Sequence, residues 1–163
     1  MRTLMLVVTA TLAIVSVPAI AETLVGRVIG VTDGDTVKVL DGERREYKIR
    51  LAGIDAPERK QPFGQRAKQR LSDLVYGKTV EVEWHKLDRY KRLVGKILIG
   101  ERDANLEMVK SGLAWHYKKY QGEQSYEDRQ AYARAEEEAR ERRRGLWADP
   151  HHINPSDWRK GLR

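Results

Sequence analysis

The sequence contains no cysteine among its 163 residues. Disulfide scaffolds, thiol nucleophiles, iron–sulfur clusters and cysteine-based zinc sites are therefore excluded, and a stable fold must come from packing alone. Internal repeats and low-complexity segments are also lacking, and beyond residues 1–21 no run is apolar enough to cross a bilayer. With 40% hydrophobic and 34% charged residues, the composition is that of a globular protein, and the length suits one domain.

Negative charge is the scarcer sign: 24 aspartates and glutamates face 31 lysines and arginines, which gives a formal net charge of +7. A small domain with this balance attracts polyanions over its whole surface. Nucleic acid, anionic lipid and acidic polysaccharide all qualify as partners, and composition alone does not choose among them.

The N-terminal segment, residues 1–21, has the features of a secretory signal peptide. Arg2 precedes an apolar stretch over residues 4–17, a proline interrupts it, and an Ala-Ile-Ala sequence ending at Ala21 fits a cleavage site. We therefore predict export to the periplasm or the extracellular space, with cleavage before Glu22 and no stable membrane insertion afterwards. The alternative is an uncleaved membrane anchor, for which the stretch is short and carries three hydroxyl residues.

The remaining chain combines alternating runs typical of strands with runs at helical spacing. The strand candidates are residues 24–31, 36–40, 47–51, 79–84 and 93–99. The helix candidates are residues 63–76, 105–113 and 126–144. This order predicts an α+β protein, a five-stranded OB-fold β-barrel with three α-helices, which commonly binds oligonucleotides or oligosaccharides. We expect the domain to span residues 22–149 and residues 150–163 to form an irregular tail.

Two windows place carboxylates at the ends of predicted strands. Asp35 begins the second strand directly after a glycine, and Asp55 and Glu58 follow the third strand with Pro57 fixing the backbone between them. Asp35 and Asp55 together would form an oxygen-only site suited to Ca²⁺, and Glu58 would act on a water as a general base. The plainer alternatives are a turn at the first window and, at the second, a solvated loop with an Arg50–Glu58 surface pair.

A third window, residues 85–92, holds four basic residues and a tyrosine before the fifth strand candidate. It is either a solvated hairpin or a phosphate clamp, in which Arg92 at the strand start would supply a guanidinium fork. Further along, residues 115–120 interleave aromatic and basic side chains, which suits stacking on bases together with contacts to the backbone of a single strand. The alternative for this stretch is a helix end that packs Trp115 against the barrel.

The order and spacing of these windows resemble the thermonuclease family, also called staphylococcal-nuclease-like. The resemblance rests on DGDT at residues 33–36, RLAGIDAPE at 50–58, DRYKRLVG at 88–95, NLEMVKSGLA at 105–114 and GLW at 145–147. Each motif alone is weak, but the ordered set is highly specific and covers residues 24–147. The resemblance implies an OB barrel with three helices and a Ca²⁺-dependent phosphodiesterase.

The resemblance also implies a role for each residue that matches a motif. The metal ligands are the carboxylates of Asp35 and Asp55 and the backbone carbonyl of Ala56. The catalytic residues are Glu58 as the general base and Arg50 and Arg92, which grip the scissile phosphate. The substrate-binding residues are Arg89 and Tyr90 near the terminal phosphate, with Tyr120, or as the weaker candidate Tyr117, stacking on the substrate.

One position departs from the family pattern. Lys91 stands where the family usually has glycine, a residue that adopts a positive φ more easily than lysine does. The resemblance further implies cleavage of both DNA and RNA at the 5′-oxygen, which leaves 3′-phosphate ends, with a preference for single strands. No set of side chains here resembles a code for base edges, so we expect low sequence specificity.

Two alternatives to a nuclease stay open at the level of sequence. The chain could be a non-catalytic OB-fold module that binds nucleic acid, or a basic protein that binds anionic polysaccharide or lipid. Retention of all three carboxylates and both arginines favours the enzyme over the module. The third class needs only the charge and leaves the ordered carboxylates unexplained. Nothing in the sequence requires more than a monomer.

Overall fold

The structure is a computed structural model that describes residues 22–162, so the predicted signal peptide at 1–21 lies outside the described residues. Its strands are β1 (Glu22–Asp33), β2 (Thr36–Asp41), β3 (Glu46–Leu51), β4 (Ile54–Asp55), β5 (Thr79–Leu87), β6 (Leu93–Ile99), β7 (Arg102–Asp103) and β8 (Trp115–His116). Its α-helices are α1 (Gly64–Val75), α2 (Ala104–Lys110), α3 (Tyr126–Glu141) and α4 (Pro155–Arg159), with 3₁₀ helices at Lys118–Glu123 and Gly145–Ala148. None of these helices has the length and apolar character that a membrane span requires.

Five of the strands form a closed barrel. β1 pairs with β2 on one side and β5 on the other, β2 continues to β3 and β5 to β6, all antiparallel. A parallel pairing of β3 with β6, which sets Arg50 opposite Val94, closes the circle. A register shift in β1 lies between Val28 and Gly30, and a shift of this kind bends a strand and increases its twist. The predicted α+β architecture with a five-stranded OB-fold barrel is confirmed.

Alternating apolar side chains fill the barrel interior. Val37 and Val39 of β2 and Ile49 and Leu51 of β3 are almost completely buried, as their period of two requires. Leu71 and its neighbours on one face of α1 pack against the same core. The three predicted helices are present; α1 ends one residue earlier than expected, and α2 and α3 each end three residues earlier. The core and the covering helices therefore follow directly from hydrophobic spacing.

Two segments differ from their expected conformation. Trp115 lies on the short strand β8, paired with β4, and is buried beside Trp147 rather than at a helix end. The expected irregular tail contains the short helix α4 (Pro155–Arg159), which the Asn154 side chain caps by accepting from the N–H of Ser156 at 2.9 Å. Proline is favoured in a first helical turn because its missing N–H is not needed there.

Glycine at position 34 allows the turn between β1 and β2 to pack closely against neighbouring elements. A Cβ atom there would come within 2.7 Å of the side chains of both Ala56 and Ala67. Because glycine lacks that atom, the turn can contact α1 and the loop after β4 at once. The next residue, Asp35, accepts a hydrogen bond from the N–H of Ala56 at 3.0 Å. Close packing at Gly34 therefore helps to position a predicted site residue.

Candidate active site

A cleft of about 660 Å³ lies beside the end of β3 and the start of β6. All ten residues that carry a predicted role line it: Asp35, Arg50, Asp55, Ala56, Glu58, Arg89, Tyr90, Arg92, Tyr117 and Tyr120. The barrel topology explains the convergence, because Thr36 pairs with Arg50 across β2 and β3, and Arg50 pairs with Val94 across β3 and β6. Residues far apart in sequence thus share one end of the barrel.

The carboxylates of Asp35 and Asp55 face the same guanidinium nitrogen. Arg50 Nη2 lies 3.1 Å from Asp35 Oδ2 and 3.2 Å from Asp55 Oδ1. Arg50 Nη1 donates to the carbonyl oxygens of Leu51 and Ile54, at 2.7 and 3.0 Å, which fixes this side chain to the barrel. Asp35 and Asp55 are only 8% and 1% exposed. Two buried carboxylates that share one cationic nitrogen are placed to share one bound cation.

Burial disfavours the ionised forms of Asp33 and Asp55 in the cleft. It holds the pKa of Asp55 above its ordinary value, although the hydrogen bond from Arg159 and the charge of Arg50 pull the pKa down. Asp33 also lines the cleft, and burial followed by the charge of Asp35 raises the pKa of Asp33 to about 6. An additional positive charge next to these groups would therefore be electrostatically favourable.

Glu58 lies beside Asp55 and contacts an arginine from the tail. Arg159, the last residue of α4, donates from Nη1 to Glu58 Oε1 at 2.7 Å and from Nη2 to Asp55 Oδ2 at 2.9 Å. The N–H of Glu58 donates to the side-chain oxygen of Gln61 at 3.0 Å, and the Gln61 amide donates to the carbonyl of Ile153. The tail is thereby tied to the loop that carries Glu58 and contributes Arg159 to the lining of the cleft.

The sequence does not predict Arg159 as a site residue. Its partner Asp55 is 104 positions away in the chain, and no motif surrounds the arginine. A helix of five residues is also too short to show a periodic pattern. The sequence does contain a signal for a helix start, Asn154 followed by Pro155. That signal does not predict which residues the end of the helix contacts.

Arg92 is held in place by Asp88. Its Nε donates to Asp88 Oδ2 at 2.7 Å and its Nη1 donates to the Thr36 hydroxyl at 3.3 Å. The other oxygen of Asp88 accepts from the N–H groups of Tyr90 and Arg92, which builds a tight turn. Lys91 in this turn has a φ of +59°, so lysine adopts the left-handed conformation that glycine favours. With lysine in place of the family's usual glycine, Arg92 still lines the cleft.

Aromatic and basic side chains line the outer part of the cleft. The Tyr90 ring is 63% exposed, and the guanidinium carbon of Arg89 lies 4.8 Å from its centroid. Tyr117 and Tyr120 contact each other edge to face, with centroids 5.0 Å apart, and Lys86 lies 5.3 Å from the Tyr120 centroid. Both of these tyrosines reach the cleft, so each stays a candidate for stacking on a base. Exposed rings beside cations suit a base next to its phosphate.

The predicted metal ligands fit a hard divalent cation in their chemistry. Asp35 and Asp55 offer carboxylate oxygens, and the buried Ala56 lines the same cleft. Across residues 22–162, no three His, Asp or Glu side chains come together as a metal-ligand cluster. A cation held by the two carboxylates would therefore complete its shell with backbone oxygen and water, a combination that Ca²⁺ accepts.

Comparison with known proteins identifies relatives of this chain. The family model described as staphylococcal nuclease homologue matches residues 48–149, which include Arg50, Asp55, Glu58 and Arg92. An uncharacterized endonuclease of Haemophilus influenzae is 44% identical over 134 residues, covering 82% of this chain and 72% of the relative. The micrococcal nuclease of Shigella flexneri is 42% identical over 163 aligned positions, covering 94% and 90%.

A third relative, protein ParB of Escherichia coli, is 39% identical over 156 residues, covering 90% of this chain and 85% of the relative. The names of the first two relatives support nuclease activity. The family match extends over more than half of the chain and over most of the cleft. The chain belongs to the family of staphylococcal nuclease homologues.

Proposed function

We propose that this chain is an exported, Ca²⁺-dependent endonuclease that hydrolyses phosphodiester bonds in DNA and RNA. It prefers single strands, has low sequence specificity and leaves 3′-phosphate ends. The observation that carries the proposal is the convergence of three carboxylates and two guanidinium groups in one cleft: Asp35, Asp55, Glu58, Arg50 and Arg92. A phosphodiester is an anion that repels a nucleophile, so its hydrolysis requires both a base and concentrated positive charge.

Glu58 is the general base in this proposal. Its side chain is 39% exposed, so a water molecule can reach it, and Pro57 restricts the backbone on its N-terminal side. The carboxylate takes a proton from the water as that water attacks phosphorus in line with the departing 5′-oxygen. Arg159 Nη1 donates to this carboxylate at 2.7 Å.

Arg50 and Arg92 stabilise the charge that develops on the phosphate oxygens. Both side chains are planar, permanently charged and able to offer paired N–H donors. Each is already oriented by the protein, Arg50 by two backbone carbonyls and Arg92 by Asp88 and Thr36, so little reorganisation is needed in the transition state. Calcium bound by Asp35 and Asp55 would supply the further positive charge that neutralises a non-bridging oxygen.

The outer cleft accounts for the proposed preference for single strands. Tyr90, Tyr117 and Tyr120 present aromatic rings, and rings can stack only on bases that are not already stacked in a duplex. Arg89 and Lys86 lie beside these rings and would contact the sugar–phosphate backbone. Stacking and phosphate contacts do not distinguish one base from another, which supports low sequence specificity.

A cleavage assay on single-stranded DNA tests the base assignment. We expect Glu58→Gln to lower the cleavage rate by about 10²–10⁴ in calcium while DNA binding persists, because the amide cannot accept the proton. Glu46→Gln is the matched control, since it neutralises a surface carboxylate paired with Lys38, and it should cut at the wild-type rate. A Glu58→Gln variant that cuts as fast as wild type would eliminate this role.

The same assay separates the enzyme from the binding module. Wild-type cleavage should stop when a chelator removes calcium and return when calcium is added back. Binding of DNA without any cleavage in calcium would favour the non-catalytic module. Cleavage that persists in chelator would remove the metal role from Asp35 and Asp55.

Export and the monomeric state are separate parts of the proposal. The apolar residues 4–17 and the Ala-Ile-Ala sequence before Glu22 support cleavage at that position. N-terminal sequencing of the protein recovered from expressing bacteria should begin at Glu22, and a start at Met1 would contradict processing. Light scattering during gel filtration should give the mass of one chain.

A further inference from the structure

The tail arginine occupies the carboxylates that the proposed function assigns to metal binding and proton transfer. Arg159 Nη2 lies 2.9 Å from Asp55 Oδ2, and Nη1 lies 3.3 Å from Asp55 Oδ1 and 2.7 Å from Glu58 Oε1. This is a two-nitrogen fork on one carboxylate combined with a bond to a second. Charge-assisted contacts of this kind are stronger than hydrogen bonds between neutral groups.

Both oxygens of Asp55 already have cationic partners. Oδ1 receives Arg50 Nη2 at 3.2 Å together with the tail arginine, and Oδ2 receives the tail arginine. The side chain of Asp55 is only 2% exposed, so it has little room for a further partner. A divalent cation that binds Asp55 must therefore share or replace a contact now made by Arg159.

The two arginines on Asp55 are held very differently. Arg50 lies on β3, is tied to two backbone carbonyls and is only 14% exposed. Arg159 is 42% exposed and ends a helix of five residues. Withdrawal of the Arg50 guanidinium would break both of these hydrogen bonds, whereas Arg159 can turn outward into solvent. When a cation binds Asp55, we therefore expect the contact with Arg159 to be lost and the contact with Arg50 to be kept.

The tail is nevertheless anchored well enough to keep this arginine close to the site. Pro155 is buried, and the carbonyl of Ile153 accepts a hydrogen bond from the amide of Gln61. The ring of His152 packs on Trp147 with centroids 4.7 Å apart. A tethered guanidinium has a high effective concentration at its partner, so it competes continuously with a cation from solution.

We propose that Arg159 is a tethered competitor of the divalent cation, which raises the calcium concentration that the active site requires. The inference rests on the proposed function, because it takes Asp55 as a metal ligand. When calcium occupies Asp55, the guanidinium leaves that carboxylate and swings toward solvent. The tail thereby sets the calcium threshold of the enzyme.

Calorimetric titration of the full chain with calcium chloride, at low salt and without DNA, tests this competition. Arg159→Gln removes the charge and keeps much of the side-chain length, and Lys160→Gln is the matched control. Lys160 is the next residue, carries the same charge and pairs with Asp157 instead of the cleft carboxylates. We expect the calcium Kd of Arg159→Gln to be about fivefold lower than that of Lys160→Gln, the size expected for losing a half-exposed ion pair. Arg159→Lys, which keeps a charge but not the fork, should lie between them.

The outcomes distinguish this inference from the proposed function. A calcium Kd of Arg159→Gln equal to or higher than that of Lys160→Gln would overturn the inference, while wild-type cleavage in calcium would leave the nuclease assignment standing. If the wild type neither binds calcium nor cuts DNA, both proposals fail together. Thermal melts of the variants, compared with wild type, verify that the titrations report on folded protein.

Discussion

Two carboxylates in different regions of the molecule are each surrounded by cations, yet their pKa values move in opposite directions. Glu107 on α2 contacts Arg102 at 2.6 Å and Lys110 at 3.1 Å. Burial pushes the pKa of Glu107 upward, but these hydrogen bonds and charges outweigh it and hold the pKa below the ordinary value. Asp55 also has two cationic partners, and its pKa stays above the ordinary value.

Burial explains the difference. Glu107 keeps 17% of its side chain in solvent, whereas Asp55 keeps 2% and also lies near the charge of Asp35. At Glu107 the ion pairs exceed the cost of desolvation, and the result is an ordinary stabilising surface network. At Asp55 two guanidinium groups do not fully offset that cost. A carboxylate kept in such a position is typical of a functional site rather than of a stabilising one.

Within this comparison, the largest effect is expected at Arg50, which contacts Asp55 in the cleft. Arg50→Lys should lower DNA cleavage by about 10²–10³, because lysine cannot offer two coplanar donors to a phosphate. The control is Arg102→Lys, which makes the same change at Glu107 and should leave the cleavage rate unchanged. A similar loss of cleavage rate in Arg50→Lys and Arg102→Lys would contradict the functional difference between the cleft and the Glu107 network. Steady-state cleavage of single-stranded DNA measures both.

A smaller effect concerns the folding free energy in the presence of calcium. At a calcium concentration 100 times the Kd, binding to the native state should raise the free energy of unfolding by about 2.7 kcal/mol. Asp35→Asn should abolish this increase, since the amide keeps the shape of the side chain but not its charge. Glu107→Gln should retain it. Urea unfolding of the wild type and both variants, each with calcium and with chelator, gives the six values, and an increase in Asp35→Asn equal to that of the wild type would contradict the assignment of this ligand.

The smallest effect is expected at Glu107 itself and depends on pH. Because its folded-state pKa is depressed, its stabilising contribution is present above the ordinary value of 4.5 and is lost as pH falls through the folded-state pKa. Glu107→Gln should therefore cost about 0.5–1 kcal/mol at pH 7 and less at pH 2. Urea unfolding at the two pH values measures the difference. A cost that persists in full at pH 2 would show that packing, not charge, is lost.

The barrel and the cleft residues were predictable from the sequence because both leave local signals. Alternation in the runs around Val37 and Ile49 marks strands with one buried face, and that face packs in the barrel interior. Asp35, Arg50 and Asp55 lie at strand ends, where a short motif suffices to place them. The two-residue strands β4, β7 and β8 leave no such period, so they emerge only in the structure.

The remaining features depend on tertiary contacts that no local pattern encodes. Arg159 reaches Asp55 only because Pro155 and Ile153 dock the tail beside the loop of Gln61. Lys91 has a positive φ, although lysine prefers a negative one. The hydrogen bonds that Asp88 accepts from the N–H groups of Tyr90 and Arg92 fix the turn and outweigh that preference. In both cases a contact from elsewhere overrides what the residue alone would favour.

The parallel pairing of β3 with β6 has a consequence for how activity arises during folding. Arg50 and Arg92 become neighbours only through this pairing, which joins strands separated by β5 and α1 along the chain. Forming this pairing requires the intervening chain to close as a loop, which costs conformational entropy. A chain that has formed its hairpins and helices, but not this pairing, still lacks the close placement of the two arginines that are proposed to contact the phosphate. We therefore expect catalysis only in chains in which β3 and β6 have paired.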